Sequence, residues 1–557
     1  MPFLDTYDIV FAGGGTTACI IAGRLAQADP SLKILIIEAG SHSFDLHHHV
    51  QPARYLNSLM RGHTVSHHRS VQSKALVMIY TRPAASDYDD WANPAGARNH
   101  SSLWGEKLRL TKTLLAAHPC TGPIQVSKGG CDTNIGRKFL EIAAQYDKDR
   151  EASPSADLND FQTINVYAPW HKYIDSQTGK PSDTAHHFLY NLANFSLDPS
   201  ESKHNVHVST NRRVVRVIFE NNRAIGVEYV AREDTNSEHR LQPRIAYASR
   251  LIVLSSGAFG SPAILERSGI GSAKRLAEVD IRSRQFVDLP GVGENYNASE
   301  ESDCLDAIFS GDEEAIKHAG VKLRPTPEEL EELGPAFKPV WDEFYVGAPD
   351  KPVALLGCKT FGMIFVTAYP KATGSTHITS TVNPWAPLRF DPQFLEDPAD
   401  ITVLRWVYKR GREIARRMKS FRGEISDRHP KFSSESSAWN NNTGPVAIDA
   451  PKIQYSKEDD RAIDDYIKAT VGTTWHSLGK CAMKPRAAGG VVDPRLNVYG
   501  VENLKVADIS IAPLNVGANT NSTALVIGEN AFLLITDDLG ISLKCTQATG
   551  EFKGPDV

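Results

Sequence analysis

The chain has 557 residues, with 61 Lys and Arg against 66 Asp and Glu and a formal net charge of −5. That length covers roughly three to four domain equivalents and can bury a large core without disulfides or metals. The near-neutral balance argues against nucleic acid as the main partner, and no apolar run is long enough to predict a membrane span.

The first residues, Met1-Pro2-Phe3-Leu4-Asp5, carry no basic segment followed by an apolar run, so no secretory leader is expected. Tyr7-Asp8-Ile9-Val10-Phe11 reads as a strand, Thr16 to Ala28 as a helix, and Leu32 to Ile37 as a second strand of the kind buried in parallel sheets. Between the first strand and the helix lies Gly13-x-Gly15-x-x-Ala18. Gly13 permits a tight turn, Gly15 lets backbone approach a pyrophosphate, and small Ala18 lets helix and strand pack closely. The helix start, at Thr16 and Thr17, offers N–H groups to phosphates. Glu38 ends the second strand, 23 residues after Gly15, where a carboxylate can accept from ribose hydroxyls. This arrangement predicts a nucleotide site without separating FAD from NAD.

Residues 41–75 are irregular and His-rich (His47-His48-His49, His67-His68), but lack metal-ligand spacing and read as a solvated loop. Alternation around Val206, Val208, Val214, Val217 and Phe219 predicts strands, and Leu251-Ile252-Val253-Leu254 another, leading into a helix that ends near Ser268-Gly269. The stretch 301–345 is acidic and expected to be helical, with Thr326-Pro327-Glu328-Glu329 forming a capping box. Residues 427–450 read as a surface loop, and 522–534 as a helix. The seven cysteines form no Cys-x-x-Cys pair and are expected to be reduced thiols.

Several stretches together resemble the glucose–methanol–choline (GMC) oxidoreductases. Gly257-Ala258-Phe259-Gly260-Ser261-Pro262 through Ser268-Gly269-Ile270-Gly271 is similar to that family's second signature. Thr473-Thr474-Trp475-His476-Ser477-Leu478-Gly479 resembles its catalytic-histidine segment, and Leu504-Lys505-Val506-Ala507-Asp508 its flavin-facing strand. Asn515 to Leu525, Tyr80-Thr81-Arg82 and Ser86-Asp87-Tyr88-Asp89-Asp90 are most similar to the fungal methanol/alcohol oxidase branch.

The resemblance implies an α/β fold in which a Rossmann-like FAD-binding domain (1–150, 200–300 and 485–557) is interleaved with an α+β substrate-binding domain (151–199 and 301–484) carrying an antiparallel sheet. It implies FAD as cofactor, held by Gly13, Gly15, Thr16, Thr17, Glu38, Val214, Asp508 and Thr520. His476 is expected to manage the alcohol proton, a task suited to a side chain titrating near neutrality, and Asn519 to hold the substrate oxygen. The implied reaction is oxidation of a primary alcohol to an aldehyde, with O2 reduced to H2O2. The implied partners are a small alcohol and O2, and the branch forms large homo-oligomers. That branch is often peroxisomal, but the tail lacks a Ser-Lys-Leu-type address, so cytoplasm is the default expectation.

The chain departs from the family at Ser70-Val71-Gln72-Ser73-Lys74-Ala75-Leu76, where a Gly-Gly-Ser-Ser-x-Asn loop belongs, and at Asn295-Tyr296-Asn297-Ala298-Ser299. Side chains in place of glycine are expected to crowd backbone that must approach a cofactor. Regions 50–70 and 300–320 are shorter than in the fungal enzymes. The alternatives are a non-redox lyase or cyclase, with His476 as acid and base, and a catalytically impaired member.

Overall fold

The computed structural model describes residues 6–44, 46, 78–92, 122–129, 134–161, 163–193, 195–196, 205–231, 242–280, 287–309, 319–359, 362–439, 443–474 and 476–543. The 70–76 loop and both histidine runs lie outside the described residues.

One sheet is built on the apolar runs of the N-terminal half. Strand β1 (Thr6–Ala12) pairs in parallel with β2 (Ile34–Ile37), and β2 with β3 (Val206–Ser209). A hairpin of β4 (Arg212–Glu220) and β5 (Arg223–Ala231) joins antiparallel to β6 (Arg244–Leu254), which runs parallel to β1 with Ile9 opposite Leu251. β7 (Leu504–Val506) adds in parallel to the end of β6. The strand order is β3-β2-β1-β6-β5-β4. Ile9, Val10, Phe11 and Ile252–Leu254 are fully buried, which explains why these runs are apolar throughout rather than alternating. Burying each such side chain contributes about 1.5–3 kcal/mol.

Helix α1 (Thr16–Ala28) occupies the expected residues and packs against α3 (Asn521–Asp538). Gly528 keeps the contact close, because a Cβ there would lie 2.9 Å from Cδ1 and 3.1 Å from Cβ of Ile20. Helix α2 (Gly257–Arg267) follows β6 directly.

Among the described residues, the second sheet has eight strands. Ala354–Lys359 pairs antiparallel with both Ala319–Leu323 and Gly362–Thr367. Glu300–Phe309 pairs antiparallel with Gly362–Thr367 and with Gly472–Thr473, the strand just before His476. Helices Asn134–Tyr146, Pro398–Ala415 and Lys457–Thr470 pack on this sheet and share its core. Two stretches sit across the boundaries expected at 150 and 199: Asn134–Tyr146 belongs to this second core, while Ala185, Leu189 and Tyr190 pack into the first.

The helix expected over 301–345 is corrected. Glu300–Phe309 and Ala319–Leu323 are strands, and the first helix among the described residues of that stretch is Pro327–Leu333. The backbone of these strands finds its partners in distant segments, and that pairing overrides acidic local composition. The capping box is present: the Thr326 hydroxyl accepts from Glu329 N–H, and the Glu329 carboxylate accepts from Thr326 N–H.

Candidate active site

Where β1 meets α1, Gly13 has a φ of 101°, and a Cβ on it would lie 2.5 Å from the Ser255 carbonyl oxygen. Only glycine fits both constraints. α1 begins after Gly15 with no side-chain cap, leaving the first N–H groups of the helix available to an anion. Glu38 closes the floor. Its carboxylate accepts from Gly14 N–H and Gly40 N–H, each at 2.7 Å. Burial raises its pKa above the usual carboxylate range, against the pull of those N–H groups.

Gly13, Gly15, Glu38 and Ser255 line a cavity of about 510 Å³. Of the expected cofactor residues, Gly13, Gly15, Thr16, Thr17, Glu38, Val214 and Asp508 all face it. Thr520 does not. It is buried at the start of α3, where its carbonyl accepts from Ala524 N–H. Asp508 combines a cavity wall with a turn. It accepts from Gly257 N–H (2.9 Å), Ser261 Oγ (2.5 Å) and Ser510 N–H (2.8 Å), tying the end of β7 to the start of α2.

Sequence reasoning missed the cavity's cations. Arg213, beside Val214 on β4, lies over the Trp385 ring at 4.8 Å, and both line the cavity together with Arg267. Burial, reinforced by the charge of Arg213, lowers the Arg267 pKa to about 10. The local signal was the pair Arg212-Arg213 opening the strand Arg212–Glu220.

His476 and Asn519, expected to act together, are together. Asn519 Nδ2 lies 3.1 Å from His476 Nε2. His476 follows the Gly472–Thr473 strand of the second sheet, and Asn519 precedes α3 on the first, so the pair bridges the two sheets. Thr81 backs it: its hydroxyl donates to Asn519 Oδ1 (2.7 Å) and accepts from Asn519 N–H (2.7 Å). Behind the same loop, Asp87 accepts from Gly517 N–H at 3.1 Å and from the Tyr369 hydroxyl at 3.0 Å. Burial raises the Asp87 pKa to about 6, with Lys351 opposing. Thr16 Oγ1 donates to Asn521 Oδ1 (3.2 Å), joining the cavity wall to the segment that carries Asn519.

Sheet, glycine turn and cavity define a dinucleotide-binding α/β protein. Comparison with known proteins sharpens that class. Residues 7–299 and 370–528 match the N- and C-terminal parts of GMC oxidoreductase. The chain is 33% identical to alcohol oxidase of Candida boidinii, over 97% of this chain and 96% of that protein. It is 34% identical to alcohol oxidase of Pichia angusta over the same shares. Among solved structures, an FAD-dependent oxidoreductase from Chaetomium thermophilum superimposes with a TM-score of 0.74 at 20% identity, covering 96% of this chain and 100% of that one. Pyridoxine 4-oxidase from Mesorbium loti gives 0.70 at 21%, covering 95% and 98%.

The chain belongs to the GMC oxidoreductase family. Its cofactor is FAD, and it is an oxidoreductase acting on CH–OH donors. The residues present fit that cofactor. Gly257, at a φ of 75°, leaves open space where a Cβ would sit, and the unfilled helix start, Arg213 and Arg267 supply positive character for a pyrophosphate.

Proposed function

We propose that the protein oxidises a primary alcohol to its aldehyde, with O2 reduced to H2O2. The reading rests most on the 3.1 Å approach of His476 Nε2 and Asn519 Nδ2. The alcohol loses its hydroxyl proton and a hydride from carbon, and O2 gains two electrons and two protons. Bound FAD would supply the hydride-accepting and O2-reducing chemistry. His476 takes the hydroxyl proton at Nε2, a role contributing about 10²–10⁴-fold in rate. Asn519 donates to the substrate oxygen and holds it in line. Gly13, Gly15, Thr16 and Thr17 would hold the pyrophosphate, Glu38 would accept from ribose hydroxyls, and the backbone at Val214 would face the adenine. Asp508 fixes the turn beside the flavin-facing strand, and Thr520 acts through the start of α3 rather than from the cavity wall.

The named similarity to alcohol oxidases supports a small primary alcohol as substrate. The experiment is turnover of methanol and longer primary alcohols with H2O2 measured against aldehyde. The parent is expected to form the two in equal amounts. His476→Ala is expected to lose at least a hundredfold in kcat while keeping its flavin absorbance. Unchanged turnover in that variant removes His476 from the reaction.

A further inference from the structure

Thr81 lies 438 residues before Asn519 in sequence, yet both partners of its hydroxyl belong to that one residue. Thr81 is 3% exposed, so its polar atoms must be satisfied within the protein. A threonine hydroxyl has one proton and two lone pairs. One lone pair takes Asn519 N–H at 2.7 Å. The proton goes to Asn519 Oδ1, also at 2.7 Å. A carbonyl oxygen cannot donate, so in that contact the hydroxyl must.

These assignments orient the carboxamide. With Oδ1 held by Thr81, Nδ2 points to His476 Nε2 at 3.1 Å. In the reversed orientation the NH2 group would face the Thr81 oxygen. The hydroxyl proton would then lose its acceptor, since among the described residues Thr81 Oγ1 donates to nothing else. A buried hydroxyl without an acceptor is disfavoured, so the observed orientation holds.

The orientation also sets the imidazole. An amide N–H facing Nε2 requires a lone pair there, which places the proton of the neutral ring on Nδ1. The reversed amide would present an oxygen and favour a proton on Nε2, leaving that atom unable to accept another.

We propose that Thr81 is a positioning residue: it fixes the Asn519 carboxamide and thereby keeps His476 Nε2 unprotonated, its one lone pair passing from the Asn519 N–H to the alcohol hydroxyl when substrate binds. The proposal rests on the function read above, in which His476 takes the alcohol proton at that atom. Thr81 touches neither ring nor substrate in this role; it acts through Asn519. Its main chain is held separately, because Ser522 Oγ donates to the Thr81 carbonyl at 2.7 Å. Replacing the side chain therefore removes the hydroxyl without releasing the segment.

The test uses the full-length FAD-loaded enzyme with Thr81→Val, Thr81→Ser, Asn519→Ala and the Thr81→Val/Asn519→Ala pair. Flavin absorbance per protein checks loading in each. Thr81→Val is expected to lower kcat by about tenfold to a hundredfold with KM moved less than about threefold, and Thr81→Ser to recover most of kcat. In the Asn519→Ala background, Thr81→Val is expected to cost less than about threefold, because the group it orients is already gone. Thr81→Ala only removes atoms, carries the same expectation, and covers the case in which valine does not fold. An unaltered kcat in Thr81→Val, a Thr81→Ser as poor as Thr81→Val, or a full multiplicative loss in the Asn519→Ala background each overturns the proposal. Full loss in His476→Ala with no loss in Thr81→Val overturns this inference alone. Full activity in His476→Ala overturns the functional reading beneath it.

Discussion

At the scale of single residues, side chains distant in sequence act as pairs and triads. His377 is an example outside the proposed catalytic pair. Its Nδ1 lies 2.7 Å from Glu266 on α2, and its Nε2 lies 3.1 Å from Glu294. Burial disfavours the charged ring, but the two carboxylates outweigh it and hold the His377 pKa at about 9. The folded value is raised, so the stabilisation is fully present below the unfolded value of about 6.5. It is lost as pH rises through about 9. The upper bound is about 3–4 kcal/mol. Thermal unfolding of the parent and of His377→Gln should therefore show a Tm gap that is widest near pH 6 and narrows by pH 9.5. A gap independent of pH contradicts the charged-triad account. None of these partners was legible in the sequence. His476 and Asn519 were, because each stands in a motif with a recognisable neighbourhood. Thr81 stands in the Tyr80-Thr81-Arg82 motif, but its proposed task becomes visible only when Asn519 is folded against it.

At the scale of elements, local signals were read well and long-range pairing was not. β1, the glycine turn, α1 and β2 lie where expected because glycine punctuation and apolar runs are properties of a few adjacent residues. The strands at Glu300–Phe309 and Ala319–Leu323 were read as helix because their partners lie elsewhere in the chain. The turn itself makes a sharp prediction. Gly13→Ala places a Cβ 2.5 Å from the Ser255 carbonyl oxygen, on backbone whose φ of 101° disfavours any side chain. Such strain costs about 1–3 kcal/mol. β1 and β6 must separate to relieve it, which moves the start of α1 away from the cavity. The variant should lower Tm by several degrees, and its ratio of 450 nm to 280 nm absorbance should fall well below the parent's. Normal FAD content in a protein of parental stability contradicts this reading of the turn.

At the scale of the whole molecule, two cores meet where the chemistry is proposed. The first sheet and α1 build the cavity, while the second sheet delivers His476 through its Gly472–Thr473 strand. Asn519 and Thr81 complete the group from segments far apart in sequence. This interleaving was legible only by resemblance, because no local pattern announces which segments return to which sheet. Alignment with the Candida boidinii alcohol oxidase runs over 662 positions against 557 residues here, consistent with the shortened regions noted in the sequence. The retained glycine turn, Glu38, Asp508 and the His476–Asn519 pair leave the proposed machinery in place despite that loss. The most direct measurement is the visible spectrum of the purified protein, taken without oxygen before and after methanol and a longer primary alcohol. Flavin bands near about 370 and 450 nm that bleach with alcohol and return with O2 are the result this account predicts. Bands that persist with every alcohol, or no bands even after reconstitution with FAD, would contradict it.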